Sequence, residues 1–179
     1  MTPPLTNPLA SIAVTTYIFP DDGAMPNHPI LPLILYKGVL RLDTTDPAAT
    51  AEQLFTQNGW QGSWRNGIFD FHHYHSNAHE VLAICRGQAT VRFGGEAGET
   101  LTVTAGDVAL LPAGTGHKRL SPSKDLLVVG AYPAGQSPDL CRGGPGERPQ
   151  VLANIQRVAL PERDPVYGTT GPLLTHWNV

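Results

Sequence analysis

Charge, cysteine and long apolar runs are all scarce in this chain. Charged residues fill 15% of its 179 positions, the formal net charge is −3, and no lysine or arginine cluster stands out. A nucleic-acid partner is therefore not expected, because phosphates call for a basic face. No apolar run approaches the roughly 20 residues that cross a bilayer. The start, Met1-Thr-Pro-Pro-Leu5, lacks the charged-then-apolar order of a secretory leader. Cys85 and Cys141 are the only cysteines, too few for a disulfide framework. A cytoplasmic, reducing setting is expected, with Cys85 as a buried free thiol. No serine stands in a nucleophile elbow. Gly94-Gly-Glu-Ala-Gly98 lacks the strand–turn–helix context of a phosphate loop and reads as a hairpin turn. There is no internal repeat.

Glycine (19) and proline (17) are plentiful, and they alternate with β-branched runs. That pattern is one of many short strands joined by turns. Strands are expected over 12–19, 33–36 and 39–42, and again over 69–75, 80–85, 89–93, 100–103, 108–111, 117–120 and 126–131. Asp46 can cap a helix that Pro47 opens, with Ala51, Leu54 and Phe55 as its apolar stripe and Asn58-Gly59 as its stop. Trp60 to Trp64 reads as a loop, whose tryptophans cap a cavity mouth or fill a core. Residues 151–157 can form a short helix. The tail 161–179 is too apolar to be left in solvent, and should pack on its own domain or on a partner subunit.

Two stretches carry the chemistry. The first is Gly67-Ile-Phe-Asp-Phe-His-His73-Tyr-His75-Ser-Asn-Ala-His-Glu80-Val-Leu-Ala-Ile-Cys-Arg-Gly87. The second is Gly106-Asp-Val-Ala-Leu-Leu-Pro112-Ala-Gly114-Thr-Gly-His117. On a strand, alternate side chains share a face, so His73 and His75 can converge on one ion. On a helix they would diverge. Three imidazoles and a carboxylate suit a first-row transition metal, not calcium or magnesium with their all-oxygen shells.

These stretches resemble the two motifs of the cupin superfamily, G-x5-H-x-H-x4-E-x6-G and G-x5-P-x-G-x2-H-x3-N, with Ser121 in place of the final asparagine. The whole chain is similar to uncharacterised single-domain bacterial cupins. The resemblance implies an all-β fold: a double-stranded β-helix, or jelly roll. One short helix would precede the first motif, with irregular N- and C-terminal extensions. One domain would cover 1–179, with N-terminal strands and helix over 1–66, a barrel core over about 67–132, and a C-terminal extension over 133–179. It also implies that His73, His75, Glu80 and His117 bind one divalent ion of iron, manganese, nickel or zinc. Some cupins have lost their metal and keep such histidines as pocket polar groups. His72 and His79 should face away from the site; a register error of one residue would instead exchange His79 for Glu80. Cupins are commonly dimers, so a homodimer is expected.

Strand parity extends the site. Phe69 and Phe71 share the face of His73 and His75, Leu82 and Ile84 that of Glu80, and Arg119 that of His117. The result is an apolar small-molecule pocket with one cation. Arg119 can bind a carboxylate or form an ion pair at the barrel rim. Two functions remain open. One is a metal-dependent oxygenase or isomerase acting on a small organic acid. The other is a non-catalytic binding, sensing or storage protein.

Overall fold

The run Glu80-Val-Leu-Ala-Ile-Cys-Arg86 shows no polar alternation because it is buried on both faces. In the computed structural model, which describes residues 4–179, this run is strand β4. Leu82 and Ile84 face an interior core, with Leu33, Leu35, Val91, Phe93 and Leu111 among its members. Val81, Ala83 and Cys85 face a second core, shared with Ile34, Tyr36, Leu54, Phe55 and Trp60. Fully burying such a side chain contributes about 1.5–3 kcal/mol. A one-residue slip would exchange the two faces, so burial locks the register and with it the inward position of Glu80.

The other strands are β1 (Ala13–Tyr17), β2 (Leu33–Lys37), β3 (Trp60–Asn66), β5 (Gln88–Phe93), β6 (Glu99–Thr104), β7 (Val108–Leu111), β8 (His117–Pro122) and β9 (Leu127–Pro133). They form two antiparallel sheets, β1-β2-β7-β4-β9-β3 and β6-β5-β8. The interior core draws on both sheets, and the second core lies on the outer face of the larger one. This all-β, jelly-roll arrangement is the expected one. Helix α1 (Pro47–Gln57) covers that outer face; Asp46 accepts a hydrogen bond from Ala49 N at 3.2 Å as its cap, and Gly59 ends the turn with φ +80°.

Three local expectations need correction. The Trp60 to Trp64 stretch is not a loop but most of β3, paired to β9 through an irregular register. Residues 69–75 do not form a regular strand; only His73 and Tyr74 make isolated bridges, to His117 and Cys141. Residues 39–42 contribute one bridge, Leu40 to Thr6.

The C-terminal extension is not wholly irregular, since it holds α2 (Gln150–Arg157) and α3 (Pro172–His176). The tail packs on its own domain. Asp164, fully buried, accepts from Tyr36 Oη at 2.6 Å, Val166 N at 2.8 Å, Tyr167 N at 2.9 Å and Leu173 N at 3.0 Å. Trp177 donates to the Pro32 carbonyl at 2.9 Å. Among the described residues, no helix is long and apolar enough to cross a membrane.

Candidate metal centre

His73 and His117 are joined by two backbone hydrogen bonds, His73 N to His117 O at 3.2 Å and His117 N to His73 O at 2.9 Å. This sets their rings 3.9 Å apart, centroid to centroid. His75 follows on the same side of the chain, and its carbonyl accepts from Gly114 N at 2.8 Å, which ties the first motif to the turn of the second. Glu80 opens β4 and brings its Oε2 to 3.3 Å from Nε2 of both His75 and His117. Ring nitrogens of His73, His75 and His117 lie within 4.8 Å of one another, so these residues could hold a metal ion.

Each of the three rings is oriented from behind. The Nδ1 of His73 donates to the Phe71 carbonyl at 3.1 Å, and that of His117 to the Thr115 carbonyl at 3.0 Å. The Nδ1 of His75 donates to the Asp139 carbonyl. A carbonyl can only accept, so each Nδ1 carries a proton and each Nε2 is the nitrogen left to face the site, where it can ligate a metal once free of any proton of its own. Glu80 Oε2 is buried without a hydrogen-bond partner. Such an atom is costly unless positive charge compensates it. The donor set and the orphaned oxygen both fit a transition-metal cation.

Electrostatics agree with the geometry. Burial, and then the neighbouring His117, lower His73 to about 3. Burial pushes Glu80 up, but the adjacent His75 and His117 outweigh it and hold the carboxyl well below its usual range. Burial likewise opposes protonation of His75, yet the Glu80 charge raises it to about 9.

The other two motif histidines point elsewhere. His79 is fully buried against the tail, 4.8 Å from the Trp177 ring, and its Nδ1 accepts from Ala113 N at 3.0 Å. The exchange of His79 for Glu80 is thereby excluded. His72 pairs with exposed Glu96 at 2.8 Å.

A cavity of about 290 Å³ opens on the four groups, and its walls include Trp64, Ile68, Phe69, Leu82 and Tyr132. Of the five expected pocket residues, Phe69 and Leu82 line it. Phe71 stacks on Phe69 at 4.8 Å and lies under Arg142, whose guanidinium carbon is 4.0 Å from the ring centroid. Ile84 does not line it and belongs to the interior core. Arg119 is half-buried at the rim, 4.0 Å from the exposed Asp70 carboxylate and beside Gly67. Arg65, which does border the cavity, is already held by Glu52 at 2.7 Å and by Asp46 at 3.1 Å.

A family model described as the cupin domain matches residues 65–129, a span that contains all four groups. A curated relative, the uncharacterized protein YjlB of Bacillus subtilis (strain 168), is 47% identical over 162 residues, covering 90% of this chain and 95% of the relative. The chain belongs to the cupin superfamily. Among solved structures, this cupin is similar to acireductone dioxygenase from Bacillus anthracis with a cadmium ion in its active centre. The identity is 14%, the coverage 70% of this chain and 82% of that one, and the TM-score 0.39. It is also similar to procruciferin, an 11S globulin of Brassica napus, at 14% identity and a TM-score of 0.36, with 72% of this chain covered but only 26% of that one.

Two features of this cupin's site, Tyr132 and Asn27, were not among the residues expected from sequence. Tyr132 was legible in principle: it follows Val128 and Gly130 at strand parity, but the expected strand ended one residue short of it. Trp64 takes one of the two places expected of the tryptophans, at the cavity, though from a strand and not from a loop, and Trp60 takes the other, in the core. Asn27, at φ +53°, gave no signal. It accepts from Gly116 N at 3.0 Å and donates to Pro20 O at 2.7 Å and Gly94 O at 3.1 Å, which latches the turn that delivers His117.

Proposed function

We propose that this cupin is a metal-dependent enzyme, an oxygenase or isomerase, acting on a small organic acid. His73, His75, Glu80 and His117 would hold one divalent ion of iron, manganese, nickel or zinc. The observation that carries this reading is three imidazoles with every Nδ1 committed outward and an orphaned carboxylate oxygen among their Nε2 atoms, all at the floor of an apolar cavity. When bound, the ion supplies Lewis acidity, and iron adds redox chemistry toward dioxygen. The chain itself supplies orientation. Phe69 and Trp64 give flat apolar walls that exclude water, and Arg119 offers a guanidinium at the rim to a substrate carboxylate.

The test begins with elemental analysis of protein purified without affinity metals, comparing wild type with His73→Ala/His75→Ala. The variant should lose the metal. Oxygen consumption and product formation are then screened with small acids and phenols. Binding of an acid with no turnover at any loaded metal would mark a binding or sensing protein instead. Arg119→Ala should weaken binding of a carboxylate ligand by roughly 1.5–3 kcal/mol and leave metal content unchanged. Loss of metal would make Arg119 a support of the site, and no change in either would leave it a rim ion pair.

We also propose a homodimer. β1 is an outermost strand of its sheet, and Ile18 and Ile30 nearby in sequence are 61% and 56% exposed. An open strand edge with exposed apolar side chains in the segment that follows it invites a second copy. A monomeric mass by light scattering at micromolar concentration would refute this.

A further inference from the structure

Glu80 has a second oxygen, and a chain of hydrogen bonds leads to it. Tyr132 Oη donates to Glu80 Oε1 at 3.3 Å, and Trp64 Nε1 donates to Tyr132 Oη at 2.8 Å. The indole has no acceptor atom, so its N–H occupies the phenol oxygen from one side and turns the phenol proton toward the carboxylate. Both rings also line the cavity.

The backbone is shaped to place Trp64 there. Gln61 pairs with Tyr132 and Trp64 with Gly130, so β3 takes one residue more than β9 between the two pairs. The irregularity, with Gly62 at φ +64°, sets Trp64 rather than Ser63 opposite Gly130. Such bulges re-aim side chains. Gly130 then provides the room. A Cβ added to it would stand 2.1 Å from Cζ2 and 2.2 Å from Cε2 of the indole. Gly130 is thus required for close approach, with no unusual φ of its own.

We propose that Trp64 and Tyr132 are positioning residues for Glu80. They hold Oε1 in a hydrogen bond so that Oε2 alone is presented to the ion bound by the three histidines. This rests on the metal reading above. With the chain broken, the carboxylate is free to rotate and the donor geometry loosens.

The experiment is metal titration of the apoprotein with cobalt(II) and zinc(II), following the cobalt visible spectrum and the melting temperature of each apo variant. Tyr132→Phe removes one oxygen, and should weaken metal binding by about 10–100-fold, the range for loss of a group that supports a ligand. It should also shift the cobalt bands. Trp64→Phe should weaken binding less and shift the bands the same way. The double variant should be no weaker than Tyr132→Phe alone, because Trp64 acts through the phenol. Gly130→Ala, which touches no polar group, should reproduce Trp64→Phe by displacing the indole. Wild-type affinity and an unchanged cobalt spectrum in folded Tyr132→Phe would overturn the proposal, as would effects of Trp64→Phe and Tyr132→Phe that multiply in the double variant. If wild type itself binds neither ion, the metal reading fails and this inference fails with it, an outcome distinct from metal-binding variants that behave like wild type.

Discussion

Without a metal, this protein's stability should fall as pH rises through the range where most proteins are indifferent to it. In the metal-free state His75 is the group responsible. Burial disfavours its charge, but the Glu80 carboxylate, 3.3 Å away, and the Asp139 carbonyl outweigh that and raise it to about 9. In the unfolded chain a histidine titrates near about 6.5. The folded value is the higher one, so the native state holds the proton more tightly. The resulting stability is fully present below about pH 6.5 and is lost as pH climbs toward about 9. At about 1.4 kcal/mol per pH unit between the two values, the gap corresponds to roughly 3 kcal/mol. For a chain of this size that is a fall in melting temperature of about 6–12 °C. His28, His73 and His79 are lowered by burial to about 4, 3 and 3, so none of them titrates in this window. A metal needs His75 neutral and takes the place of its proton. The loaded protein should therefore show a shallower dependence, and metal binding should release protons below about pH 9. The assay is thermal unfolding from pH 6 to 9.5 after chelation, repeated with added zinc or manganese and with Glu80→Gln, which should flatten the chelated curve. A melting temperature of chelated wild type that stays level or rises across that range would refute the reasoning.

Two further outcomes concern the frame around the site. Asn27→Ala strips the acceptor from Gly116 N and the donors from two carbonyls, and should cost roughly 1–3 kcal/mol in a denaturant titration; an unmoved midpoint would show that the turn before His117 holds itself. Asp164→Ala leaves the Tyr36 hydroxyl and the amides of Val166, Tyr167 and Leu173 unpaired in the core. It should cost on the order of 3–5 kcal/mol and release the tail to limited proteolysis, and a variant with wild-type resistance would show that Trp177 and Leu173 suffice to hold it.

What the sequence by itself determined is local and periodic. The alternation of faces along Glu80–Arg86 decided which residues look inward, because side chains on a strand have a period of two and burial penalises a slip. The cap, the apolar stripe and the Asn58-Gly59 stop of α1 were readable for the same reason: each depends on residues within one or two turns. The two motifs named the four converging groups and the family. Only the tertiary structure decided what stands behind them. The Asp139 carbonyl reaches His75 from 64 residues away, and the Asn27 side chain reaches Gly116 across 89. No window of sequence contains such a pair, since its geometry is set by how separate segments pack. The pocket walls were legible only in part for a related reason. Parity found Phe69 and Leu82, but it could not show that Ile84 belongs to the core and not to the cavity wall, or that Arg119 stands beside Asp70. It could not foresee the extra residue in β3 that turns Trp64 onto Gly130 either, because a bulge breaks the very period from which parity is read.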